Sequence, residues 1–142
     1  QQFKHCEAGI TITTLDENIR KEIEPFTSPV EDRIEAVRKL HEAGIKNYIF
    51  VWPIIPYFTD RKNILMQTKN FTNFYMFENL NIKWWIWNDI KMRLCTKHPE
   101  YLQKFEKIYF SPNDYWDNME QEIKLFCIKE KIDHKIYFHH WK

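Results

Sequence analysis

The chain has 142 residues, enough for one compact domain, and 44% of them are apolar, enough to bury a sizeable core. Its 21 Lys and Arg against 20 Asp and Glu leave a net charge of +1, so composition gives no electrostatic footprint for nucleic acid or an anionic membrane. Two glycines and no low-complexity run argue against disorder, and no stretch nears the roughly 18 apolar residues of a membrane span.

Cys6, Cys95 and Cys127 are odd in number and far apart. No disulfide framework follows, and a reducing cytoplasm is the expected location. The chain opens on Gln1, not Met, directly before a strand-like run, which reads as a fragment of a longer polypeptide.

The first element is a β-branched strand, Ile10-Thr11-Ile12-Thr13-Thr14, after Gly9. Thr14 to Glu17 has the S/T-x-x-E form of a capping box and predicts a short helix ending at Glu24, before Pro25. Ser28-Pro29-Val30-Glu31 predicts a second boxed helix, with Ile34, Val37 and Leu40 on its apolar stripe and Gly44 as its left-handed cap. The nearly continuous apolar run from Tyr48 to Ile55 predicts a strand buried on both faces, as in parallel sheets. Thr59 or Asp60 starts a helix reaching Lys69, and Phe74-Tyr75-Met76-Phe77 forms a third strand.

The remainder is predicted to be mostly helical, over Ile86 to Lys97, Glu100 to Ile108, and a longer helix opened by Ser111 to Asp114. Trp116, Met119, Ile123 and Phe126 are its apolar stripe. Lys135 to His139 reads as a closing strand. The fold class expected is α/β with mainly parallel strands.

Thr11-Ile12-Thr13-Thr14, Glu24-Pro25-Phe26-Thr27-Ser28-Pro29, Arg33-Ile34-Glu35-Ala36, Ala43-Gly44-Ile45 and Pro53-Ile54-Ile55-Pro56 occur in that order. Together they resemble the middle of radical S-adenosylmethionine (radical SAM) proteins of the spore photoproduct lyase group, including relatives named as DNA repair photolyases. The resemblance is strong over about residues 9–60. It continues more weakly through Phe74 to Leu80, Ile108 to Phe110, Tyr115-Trp116 and Phe138 to His140.

The resemblance implies the C-terminal half of a partial (β/α)6 TIM-like barrel. Residues 10–15, 47–55 and 74–80 would be its fourth, fifth and sixth strands. Residues 1–82 would hold the last three β/α units, and 83–142 a helical C-terminal extension with a closing strand in the same compact domain. S-adenosylmethionine would lie at the C-terminal mouth, where parallel sheets place ligands. Thr11 falls where relatives carry the polar residue that contacts the ribose, and Thr13 on a second polar position near the cofactor. Pro53, Ile54 and Ile55 match the segment that packs on adenine. Glu24 and Arg33 fall on recurrent charged positions; our reading of the residues makes them a pair bracing the loop. Trp52 stands where relatives more often carry Ala, which changes the local packing.

Radical SAM chemistry also needs a [4Fe–4S] cluster on three closely spaced cysteines, typically C-x3-C-x2-C. The cluster cleaves S-adenosylmethionine to a radical that abstracts hydrogen from substrate. The three cysteines here do not have that spacing. The chain alone is therefore expected to bind neither cofactor and to be inactive, with cluster and catalysis belonging to a parent protein. The expected partner is the missing N-terminal half of the barrel. An open sheet edge and a partly covered face predict self-association, or an extension folded over the sheet. The competing reading is a non-catalytic binding or interaction domain on a barrel-derived scaffold.

Blander readings stand beside these. Thr11 and Thr13 are also ordinary β-branched strand residues, and Ile54 and Ile55 are core in any reading. Trp84, Trp85 and Trp87, beside Lys83 and Lys91, suit an aromatic cluster better than nucleobase stacking, because no net basic charge supports nucleic acid. His134, His139 and His140 lack the spacing of a shared metal site, since neighbours on a strand face opposite sides. His5 and Cys6 are read as incidental.

Overall fold

The computed structural model describes residues 6–138, and for residues 84 and 85 the backbone alone. Four strands form one sheet: β1 (Glu7–Thr11), β2 (Lys46–Ile54), β3 (Phe74–Asn79) and β4 (His134–Ile136). All pair in parallel and lie in chain order, β1-β2-β3-β4. Six helices complete the described residues: α1 (Glu17–Ile23), α2 (Val30–Glu42), α3 (Arg61–Thr68), α4 (Trp84–Lys97), α5 (Pro99–Phe110) and α6 (Tyr115–Glu130). The protein is α/β with a parallel sheet. None of the described helices is long and apolar enough to cross a membrane.

One sheet face carries the core. Ile49, Val51 and Ile54 of β2 and Tyr75 and Phe77 of β3 meet Ile34 and Val37 of α2, Ile64 and Leu65 of α3, and Ile123 and Cys127 of α6. The Cys127 thiol lies inside this cluster, and burial pushes its pKa up to about 11. Cys6 and Cys95 are exposed. A thiol reagent should therefore label two cysteines of the native chain quickly and the third only on unfolding. Peptide mapping after labelling checks which one is protected.

The opposite face corrects the expectation for β2. Its side chains alternate: Asn47, Ile49 and Val51 are buried, whereas Tyr48 and Phe50 are half-buried and Trp52 is exposed. Residues opposite each other in a parallel ladder project to the same side. Gly9, Tyr48 and Phe74 thus share this second face, as do Thr11, Phe50 and Met76. Tyr48 stacks on Phe74 with ring centroids 4.9 Å apart. Gly9 makes room for it, because a Cβ there would lie 2.3 Å from the Tyr48 ring. The second face is an aromatic surface, open along Trp52.

The helix starts also differ from the boxes read in the sequence. Asp16, not Thr14, caps α1, accepting from the Asn18 and Ile19 amides. Thr14 Oγ1 instead accepts from the Asp16 amide. Ser28 does not cap α2; Pro29 holds the cap position without a side-chain bond. The first amide of α2, on Val30, donates to Glu17 Oε2 of α1 at 3.2 Å. Asp60 caps α3, and α4 begins at Trp84, ahead of the expected Ile86.

Strand β1 begins and ends earlier than the run read from sequence, and β4 covers His134–Ile136 only. His5, His139 and His140 lie outside the described residues.

Gly44 ends α2 as expected. Its φ is +67°, and the amides of Gly44 and Ile45 donate to the carbonyls of His41 and Leu40, a Schellman cap. Gly44→Ala meets no steric obstacle but forces alanine into a left-handed conformation. It should lower stability by about 1 kcal/mol, read as a lower urea midpoint with an unchanged slope.

Candidate functional site

The C-terminal tips of β1 and β2 lie side by side. The ladder runs to Thr11 opposite Phe50, and the Ile12 amide donates to the Phe50 carbonyl. Just beyond, the Thr13 side chain is 1% exposed. Its hydroxyl lies 2.8 Å from the Trp52 carbonyl and 3.0 Å from Glu24 Oε1. Both are acceptors when Glu24 is ionised, so the one hydroxyl proton serves either. Thr13 thereby ties the tip of β1 to the tip of β2 and to the loop after α1.

Glu24 Oε2 accepts from Arg33 at 2.8 Å, and both side chains are largely buried. The same guanidinium donates to the Thr11 carbonyl and to the Ser28 carbonyl, each at 3.0 Å. One planar fork therefore joins the end of β1, the loop and α2. The Glu24–Arg33 pair does brace the loop.

Arg20 secures the same loop from beneath. It is 5% exposed and donates to Glu17 and to the carbonyls of Glu24 and Thr27. The hydrogen bond from Arg20, then that from the Val30 amide, holds the Glu17 carboxyl below its usual pKa.

Thr11 projects onto the open aromatic face, half-buried, with no side-chain partner among the described residues. The peptide bond between Trp52 and Pro53 is cis, and the β2–β3 register shifts between Val51 and Ile54. Ile54, 1% exposed, turns into the helix-side core. Pro53 and Ile55 line a cavity instead. Thr11, Thr13, Glu24, Arg33, Pro53 and Ile55 thus gather at one end of the sheet, and Ile54 supports that end from below.

The cavity has a volume of about 250 Å³ and lies beyond the tips of β2 and β3, between α1, α4 and α5. Its walls are mostly apolar, among them Ile19, Phe58, Leu80, Leu94 and Phe105. Tyr109 fixes the α5 side by donating to the Leu80 carbonyl at 3.1 Å. Burial holds the Tyr109 pKa well above the ordinary tyrosine value.

Three polar side chains stand at the cavity: Glu22, Arg93 and His98. His98 Nε2 is 3.4 Å from Glu22, and Lys97 is 3.5 Å from it. Sequence reading missed this group and Arg20. Glu22 lies more than seventy positions from both Arg93 and His98, so no local spacing announces it.

Trp87 packs edge-on against Phe110 with centroids 5.0 Å apart, an aromatic contact within the helical region. Among the described residues no three His, Cys, Asp or Glu side chains gather as a metal site.

No family model matches the chain, and no solved structure matches it. A Methanocaldococcus jannaschii protein described only as uncharacterized is 49% identical over 83 residues. That stretch is 58% of this chain and 32% of the relative, so the chain spans about a third of the relative's length.

Proposed function

We propose that this chain is the C-terminal portion of a radical SAM barrel resembling the spore photoproduct lyase group. It would furnish part of the S-adenosylmethionine and substrate site, while a preceding segment of the parent protein furnishes the cluster and the remaining strands. One observation carries the reading: a parallel ladder in chain order has α2, α3 and α6 on one face, an open aromatic surface on the other, and the Thr13–Glu24–Arg33 network at its C-terminal tips. Ligands of parallel α/β sheets bind at that end. The relative has the length to hold more such units.

The residues present fit the two cofactors unequally. Cys6 and Cys95 are exposed and Cys127 is buried in the core, so they do not form a cluster site. For S-adenosylmethionine, which supplies hydrogen-abstracting chemistry when bound to a cluster, the fit is better. The Thr11 hydroxyl faces the open surface and would serve the ribose. Pro53 and Ile55 would offer apolar contact to adenine, with Ile54 beneath them. Thr13, Glu24 and Arg33 are positioning residues, since their polar atoms already hold the two strand tips and the loop. The uncovered face would pack against the N-terminal half of the barrel.

The test uses the parent protein, purified without oxygen. Iron and sulfide near four per chain are expected, with an EPR signal that changes on adding S-adenosylmethionine and release of 5′-deoxyadenosine. Glu24→Gln should raise the KM for S-adenosylmethionine about tenfold, equivalent to about 1.4 kcal/mol, with iron content unchanged. An iron-free parent that releases no 5′-deoxyadenosine would sink the reading and leave the interaction-domain alternative.

A further inference from the structure

We infer that the cavity between α1, α4 and α5 is a binding site for a small carboxylic acid with an apolar tail. The body of the cavity is hydrocarbon: Ile19, Ile23, Ile55, Leu80, Ile90 and Leu94 all face it. Its volume of about 250 Å³ equals roughly eight waters at liquid density, which suits a tail of comparable heavy-atom number. Apolar walls with a few placed polar groups are the usual composition of a small-molecule site.

The head group follows from the charges at the cavity. Glu22 is 14% exposed and lies 3.4–3.5 Å from His98 and Lys97, so its carboxylate already has partners. Arg93 differs. One of its terminal nitrogens donates to the Glu22 backbone carbonyl at 2.7 Å. Its side chain is exposed, and among the described residues no acid pairs with it. An exposed guanidinium at the rim of an apolar cavity is matched by a carboxylate, which accepts two parallel N–H bonds. A cationic head would face Arg93 and find Glu22 already engaged by Lys97 and His98.

The site shares Pro53 and Ile55 with the adenine contact proposed above, but it does not rest on that proposal. The test therefore uses this chain directly, with octanoate as the probe in isothermal titration calorimetry. Saturable binding of octanoate is expected, with octanol binding at least tenfold more weakly. Arg93→Met, which keeps the side chain's length and removes its charge, should weaken octanoate at least tenfold and leave octanol unchanged. Ile90→Phe, which fills the cavity, should weaken both, with circular dichroism and Tm confirming that each variant folds.

No saturable binding, or octanol binding as tightly as octanoate, overturns the proposal. Displacement of octanoate by adenosine also overturns it, by assigning the cavity to the nucleoside. That last result leaves the radical SAM reading standing, whereas an iron-free parent has no bearing on octanoate.

Discussion

Asn47→Leu should lower the unfolding free energy by about 4 kcal/mol, the largest effect expected of a single substitution outside the apolar core. Asn47 is fully buried in the central strand β2. Its side-chain amide donates to the Phe71 carbonyl at 3.1 Å, and its Oδ1 accepts from the Asn73 amide at 3.3 Å. Asn73 Oδ1 returns the bond to the Asn47 amide at 2.8 Å. Leucine has the same branched outline but is bulkier, and it can make neither of the two side-chain bonds. It strands the Phe71 carbonyl and the Asn73 amide in the turn that leads into β3. Each orphaned buried group costs about 1–3 kcal/mol, and the added hydrocarbon returns only part of that. Urea denaturation monitored by tryptophan fluorescence reads the change. A loss below 1 kcal/mol would mean that water reaches the turn and replaces the amide.

Arg20→Met should cost about 3 kcal/mol, because a largely buried guanidinium with several hydrogen bonds cannot be replaced by a thioether. The loss has a pH signature. The folded Glu17 carboxyl titrates below the ordinary carboxylate value of 4.5, first through the hydrogen bond from Arg20 and then through the Val30 amide. Its stabilising contribution is complete above that ordinary value and fades as pH falls through the lowered folded pKa. Removing Arg20 takes away the larger cause. The variant's stability should therefore fall less steeply than the parent chain's as pH drops below about 4.5. Equal acid slopes in the two proteins would show that the Val30 amide alone sets the Glu17 titration.

The architecture was legible where local chemistry and tertiary structure agree. Gly44 is needed because only glycine takes a left-handed cap without strain, and it marks the end of α2 from sequence alone. The strand–helix–strand order followed from the same kind of signal. The capping boxes failed for a physical reason. Thr14 and Asp16 are both able caps two positions apart, and Asp16 reached the helix amides. Glu17, read as the partner of Thr14, instead crosses thirteen positions to the first amide of α2.

The two faces of β2 were indistinguishable in the sequence, because aromatic residues on the open face are as hydrophobic as the aliphatic ones opposite. Burial separated them. The Glu24–Arg33 pair could be anticipated because both residues flank one loop. The Glu22, Arg93 and His98 group could not, since it forms only when α4 folds back over α1.

The chain-order arrangement of the ladder has a consequence for biogenesis. Each strand hydrogen-bonds to the one synthesised just before it. Sheet growth can therefore keep pace with translation, and no strand must wait for a downstream neighbour to wedge between two earlier ones. The shortest of the described strands, β4, is the last of them to emerge and seals the β3 flank only when α6 is already made. The β1 flank stays available to any segment born upstream, so the nascent sheet can extend backward onto material that the ribosome has already released.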